Sequence, residues 1–191
     1  FDWPGHGESD GRVTYGSSEA SAIRAAAQFV AAQPDVDRAR IGALGVSAGA
    51  ALLTMAAAEE GAIRALVLVS PFADSDAQTR AEFARWGPIT QWPALWVDRT
   101  MMPEGPLRVL DAARSLGGRS LLVIAGDRDP IVPRQMSEEV YDAANARKAL
   151  LILPSTGHAN FDALAPGPYG DRIVGWFQKE LAPTVSASGT P

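Results

Sequence analysis

Ser47 stands at the centre of Gly45-Val46-Ser47-Ala48-Gly49, between an apolar run from Ile41 to Leu44 and an alanine-rich stretch from Ala50 to Ala58. That context reads as strand, sharp turn and helix. A serine on such a turn takes a strained backbone geometry that pushes its hydroxyl into the open. Small residues are needed two positions before and after it, and Gly45 and Gly49 supply them. The following helix aims its free N–H groups at whatever the serine attacks. The chemistry would be nucleophilic attack, which needs a base and a third group to orient the base.

The chain holds two histidines, so the base is His6 or His158. His158 ends Pro154-Ser155-Thr156-Gly157-His158, just past the last apolar run. Active sites of parallel α/β sheets lie beyond the carboxyl ends of the strands, so His158 and Ser47 share a rim. His6, in the turn Pro4-Gly5-His6-Gly7, reads as structural or pocket-lining, because it precedes the nucleophile's strand and helix. For the acid, Asp127 and Asp129 follow the third apolar run, and Asp74 follows the second. Asp127 would equally serve to brace its turn.

The elements that must position these groups are legible as alternating apolar runs and helical patterns, the mark of a parallel α/β sheet. Strands are expected at Ile41–Val46, Ile63–Val69, Leu121–Ala125 and Ala149–Leu153, each apolar enough to be covered on both faces. Helices are expected at Ser18–Ala32, at Ala48–Glu60 with Gly61 as its C-cap, at Gln135–Arg147 and at Asp171–Leu181. Residues 71–107 interrupt the alternation with prolines, Trp86, Trp92, Trp96, Met101 and Met102. Two readings fit that stretch: a connector whose aromatics plug the core, or a small lid over 72–107 whose tryptophans form a substrate pocket. Residues 182–191 are small and polar and read as a disordered tail.

Bulk composition excludes several classes. A net charge of −5 and the lack of any Lys/Arg run argue against a nucleic-acid partner. No stretch is long and apolar enough for a membrane span. Without cysteine there is no disulfide or thiol chemistry, and two histidines with no H-E-x-x-H leave little for a zinc site. No phosphate-binding G-x-x-x-x-G-K-[ST] loop is present.

In motif order and spacing the chain resembles the α/β-hydrolase superfamily from Phe1 to Leu181. Asp2-Trp3-Pro4-Gly5-His6-Gly7-Glu8-Ser9 looks like the D-x-x-G-x-G-x-S segment after the family's fourth strand. Gly45–Gly49 looks like the nucleophile elbow, and the order Ser47, Asp, His158 is the family's own. Gly126-Asp127-Arg128-Asp129 resembles the G-x-x-D acid loop, which implies Asp129 as the acid; Gly157-His158 with Phe161 resembles the histidine loop. The approach Pro34–Gly42 is similar to the esterase and serine-peptidase-like branches. The strand and His-Gly-type loop that precede the first of these segments in the family are absent from the sequence. That departure implies a partial fold, with a bare apolar edge on Ile41–Val46 and only the Ala48 N–H of the two oxyanion donors.

The resemblance implies a mostly parallel sheet with helices on both faces, and a serine hydrolase that cleaves an ester or related acyl bond of a small-molecule acyl substrate. It implies no cofactor and no metal. Peptidase or thioesterase chemistry would use the same Ser47, His158 and Asp129, and a binding module could keep the scaffold without the activity. A dehalogenase is disfavoured, because that chemistry would place an aspartate where Ser47 stands.

Overall fold

The computed structural model describes residues 1–101, 105–158 and 167–183. Met102, Phe161 and positions 184–191 of the expected tail lie outside the described residues. The elements run α1 (Ser17–Ala31), β1 (Ile41–Val46), α2 (Ala48–Glu59), β2 (Ile63–Val69), α3 (Ser75–Ala84), α4 (Pro88–Met101), α5 (Val109–Arg114), β3 (Ser120–Gly126), α6 (Arg134–Ala143), β4 (Arg147–Leu153) and α7 (Pro168–Glu180).

The strands form one four-stranded sheet in chain order, β1-β2-β3-β4, and every neighbouring pair is parallel. Each parallel step needs a crossover, and the helices between the strands supply it. The alternation of side chains along a strand then builds two apolar layers. Leu66 and Leu68 of β2 and Leu121 and Val123 of β3 face a cluster with residues of α1, α2, α5 and α6. Val67, Val69, Leu122 and Ile124 face the other way, onto Tyr169, Ile173, Trp176 and Phe177 of α7. Both faces are therefore covered, as the near-continuous apolar runs predict.

The sheet edges differ. Among the described residues β1 is paired only with β2. Leu44 on it is 48% exposed, and a cavity of about 480 Å³ opens beside it, lined by Phe1, Trp3, Ile23, Val30 and Leu53 among others.

Several expected boundaries move. The helix expected over Gln135–Arg147 stops at Ala143, because Ala144 turns extended and Arg147 already pairs with Ser120 in the sheet. Lys148, from β4, closes the helix end by donating to the carbonyls of Tyr141, Asp142 and Ala144. Helix α2 ends at Glu59; Glu60, not Gly61, makes the turn out, and its carboxylate accepts the Ala62 N–H at 2.9 Å. The interrupted stretch contains two helices the sequence reading did not resolve, α3 and α4, and a third, α5, follows directly after it. α5 packs between α2 and α6, whereas α3 and α4 pack chiefly on each other as a hairpin.

Candidate active site

Ser47 follows β1 directly and opens α2, with φ 52° and ψ −118°. A side chain rarely adopts that region, and the strain is held by the surroundings. The Ser47 N–H donates to Val69 O at 2.8 Å, tying the turn to the end of β2. Gly45 makes the turn possible: a Cβ there would lie 2.5 Å from Gly49 O.

The Ser47 hydroxyl meets His158 Nε2 at 2.9 Å, across 111 residues of sequence. His158 Nδ1 meets Asp129 Oδ2 at 2.8 Å. A carboxylate can only accept, so Nδ1 carries the proton and Nε2 is free to accept from the serine. Asp129 is anchored in turn: its Oδ1 accepts the N–H groups of Ile131 and Val132, both at 2.9 Å. Its side chain is 1% exposed and that of His158 18%. Burial pushes the Asp129 carboxyl up, but the hydrogen bond from His158 and those from the Val132 and Ile131 N–H groups outweigh it, and the group stays below its ordinary range. The aspartate therefore faces the imidazole as an anion.

Ala48 is the first residue of α2. Helix geometry leaves its N–H without an intrahelical acceptor, beside the serine and at the positive end of the helix dipole. The structure thus brings Ser47, His158 and Asp129 into one hydrogen-bonded line with Ala48 at its head. It separates the other candidate acids from that line. Asp127 is exposed, and Asp74 caps α3 by accepting the Ala77 N–H at 2.9 Å. His6 stands edge-on between Trp3 and Tyr15, with ring centroids 5.7 and 6.4 Å away.

The tryptophans do not plug the core. Trp86, Trp92 and Trp96 are 67%, 77% and 72% exposed, all on the α3–α4 hairpin. A cleft of about 740 Å³ runs between the two helices; Trp86 borders it together with Phe83, Pro93 and Val97. Sequence reasoning also missed the Ile131 and Val132 N–H groups. An aspartate that accepts from the N–H groups two and three residues on is a common turn signal, and Asp129-Pro130-Ile131-Val132 carries it. Among the described residues no cluster of His, Asp or Glu has the makings of a metal site, and no helix is long and apolar enough to cross a membrane.

Residues 6–184 match the profile of the prolyl oligopeptidase family. The chain belongs to that family. Two relatives of this prolyl oligopeptidase family member, the uncharacterized proteins Rv2307c and MT2364 of Mycobacterium tuberculosis, are each 34% identical to it over 163 residues, which is 83% of this chain and 51% of theirs. The chain thus spans about half the length of the curated relatives it matches. Among solved structures, the Pyrococcus furiosus esterase Pf2001 superposes with a TM-score of 0.73 at 23% identity, over 95% of this chain and 69% of that one. The α/β hydrolase GrgF from Penicillium gives 0.74 at 17% identity, over 95% and 78%. Acetyl xylan esterase 1 from Thermoanaerobacterium gives 0.65 at 19%, over 87% and 53%. At such identities the likeness is one of fold, and the fold is that of the α/β hydrolases.

Proposed function

We propose that this family member is a serine hydrolase that cleaves an ester or related acyl bond through a covalent acyl-enzyme. The observation that supports this reading is the unbroken hydrogen-bonded line from Ser47 through His158 to Asp129. Ser47 Oγ attacks the carbonyl carbon while His158 Nε2 takes its proton. The carbonyl oxygen becomes an oxyanion and receives a hydrogen bond from the Ala48 N–H. Asp129 keeps the imidazole in the required tautomer and stabilises the imidazolium. The intermediate collapses, the carbon–oxygen bond to the alcohol breaks, and His158 returns the proton to the leaving oxygen. Water then attacks the acyl-enzyme, giving its proton to His158, and the carboxylic acid departs as Ser47 regains its hydroxyl.

The experiment is labelling with a fluorophosphonate probe, followed by turnover of a p-nitrophenyl ester. Wild type should label at a single serine, and Ser47→Ala should neither label nor turn over, a loss of about 10⁶-fold for a nucleophile that works as part of a triad. Labelling that persists in Ser47→Ala would refute the assignment. The family match favours a second reading, in which the bond cleaved is a peptide bond. A matched set of ester, thioester and peptide anilide substrates separates the two by kcat/KM.

A further inference from the structure

On α4 the residues Ile89, Trp92 and Trp96 are three and four positions apart, a spacing that puts them on one side of a helix. They are 84%, 77% and 72% exposed, and Trp86, Val97 and Met101 widen the patch at 67%, 47% and 45%. The packing side of the helix is carried by Leu95, which is 7% exposed. A largely bare indole presents on the order of 150 Å². Three of them with Ile89 therefore reach roughly 500–600 Å², the upper end of what a soluble monomer leaves open.

The charges around this patch are sorted. Every carboxylate between Ser75 and Met101 is half-buried and engaged inside the hairpin. Asp76 is bound by Arg99, Glu82 accepts from Gln78 at 2.8 Å, and Asp98 accepts from the Thr79 hydroxyl. The arginines stay outside: the Arg80 and Arg99 side chains are 50% and 60% exposed, and Arg85 lies over the Trp86 ring at 5.3 Å. On a chain with a net charge of −5, the most exposed side chains of this hairpin are indoles, aliphatic groups and guanidinium ions, and no carboxylate is among them.

We propose that the α3–α4 hairpin is a docking element for an anionic phospholipid surface. Indoles settle at the boundary between acyl chains and headgroups, and guanidinium forks pair with phosphate. A second copy fits less well, since a two-fold contact through the patch would set arginine against arginine. A soluble acyl substrate fits less well too, because Trp92 and Trp96 are outside the residues that line the cleft. The proposal goes beyond the hydrolase reading and does not depend on it.

The test is cosedimentation with extruded vesicles of phosphatidylcholine, with and without phosphatidylglycerol, read alongside the tryptophan emission maximum. Wild type should bind the phosphatidylglycerol vesicles with a blue shift, and added salt should weaken the binding. The double variant Trp92→Ser, Trp96→Ser should lose roughly tenfold or more in partitioning. Arg80→Gln with Arg85→Gln should remove the preference for phosphatidylglycerol. Circular dichroism and thermal melts matching wild type establish that each variant is folded. Ser47→Ala should bind vesicles as wild type does, so failed labelling and failed docking are separate results. The proposal is overturned by wild type that ignores both vesicles, or by a folded tryptophan variant that binds them equally. It is also overturned if the patch instead mediates a concentration-dependent dimer, or raises KM for a soluble ester when mutated with vesicle binding unchanged.

Discussion

Gly126, the last residue of β3, lies directly beneath the loop that carries His158. A Cβ at this position would stand 2.3 Å from Thr156 O, 2.7 Å from Gly157 O and 2.9 Å from Thr156 C, all of them backbone atoms. No rotamer change relieves such contacts, so in Gly126→Ala the loop must retreat by about 1 Å to reach ordinary van der Waals distance. The Arg128 N–H, which donates to Thr156 O at 3.0 Å, opposes that retreat. His158 lies two residues further on, and its bonds of 2.9 Å to Ser47 and 2.8 Å to Asp129 would both stretch beyond hydrogen-bonding range. A displacement of this size costs about 10² in rate when the fold survives. Overpacking should cost about 1–3 kcal/mol of stability, or about 2–4 °C of Tm for each kcal/mol. The assay is kcat/KM for a p-nitrophenyl ester and the rate of fluorophosphonate labelling, with a thermal melt on the same preparation. Gly157→Ala is the control: its Cβ would meet nothing within 4 Å, so its activity should stay within a few-fold of wild type. Undiminished kcat/KM in Gly126→Ala would refute the reasoning, as would equal losses in the two variants.

Asp129→Asn keeps the shape of the acid but withdraws the charge that holds the imidazole tautomer; kcat should fall by about 10³–10⁴ with the melt little changed, measured by steady-state kinetics. Glu19 is fully buried and accepts from the N–H groups of Thr14 and Gly16 and from the Thr14 hydroxyl. Burial pushes its carboxyl up, but these bonds outweigh it and hold the group below its ordinary range. Its contribution to stability is thus present above the ordinary carboxylate range and is lost as pH falls through the folded-state value. Denaturant titrations at several pH values should show Glu19→Gln less stable by about 1–3 kcal/mol near neutrality, with a shallower acid limb than wild type.

How much of this was legible depended on whether the deciding force was local. The strands were legible because Ala65–Val69 and Leu121–Gly126 are buried on both sides, so burial leaves an unbroken apolar run. Ser47 was legible because its turn demands glycine at Gly45. The choice between Asp127 and Asp129 was open on residue type alone, since both follow β3. Direction distinguishes the two: Asp129 points inward to His158, and Asp127 faces solvent. The end of α6 was misjudged because the segment continues into alanines that suit a helix, while sheet pairing claims Arg147 for β4. The α3–α4 hairpin was hidden by Pro88 and Pro93. Pro88 occupies the first position of α4, where its missing N–H costs nothing, and Pro93 is tolerated inside the helix. The tryptophans were hardest, because their exposure reverses the usual expectation for large apolar side chains.

The strand order has a consequence in time. Because the sheet runs β1-β2-β3-β4 in the order of synthesis, Ser47 follows the first of these strands and His158, its proposed base, arrives only after the last. Parallel strands about 4.8 Å apart put the two outer ones some 14 Å from each other. The loop after β4 must therefore reach back over the ends of β3 and β2 before Ser47 has a proton acceptor. A ribosome-bound chain lacking β4 carries the Ser47 turn without His158 beside it. On the proposed mechanism, an emerging polypeptide stays inert towards acyl groups until β4 has paired, and the onset of probe labelling would serve as a clock for the pairing of β4 with β3.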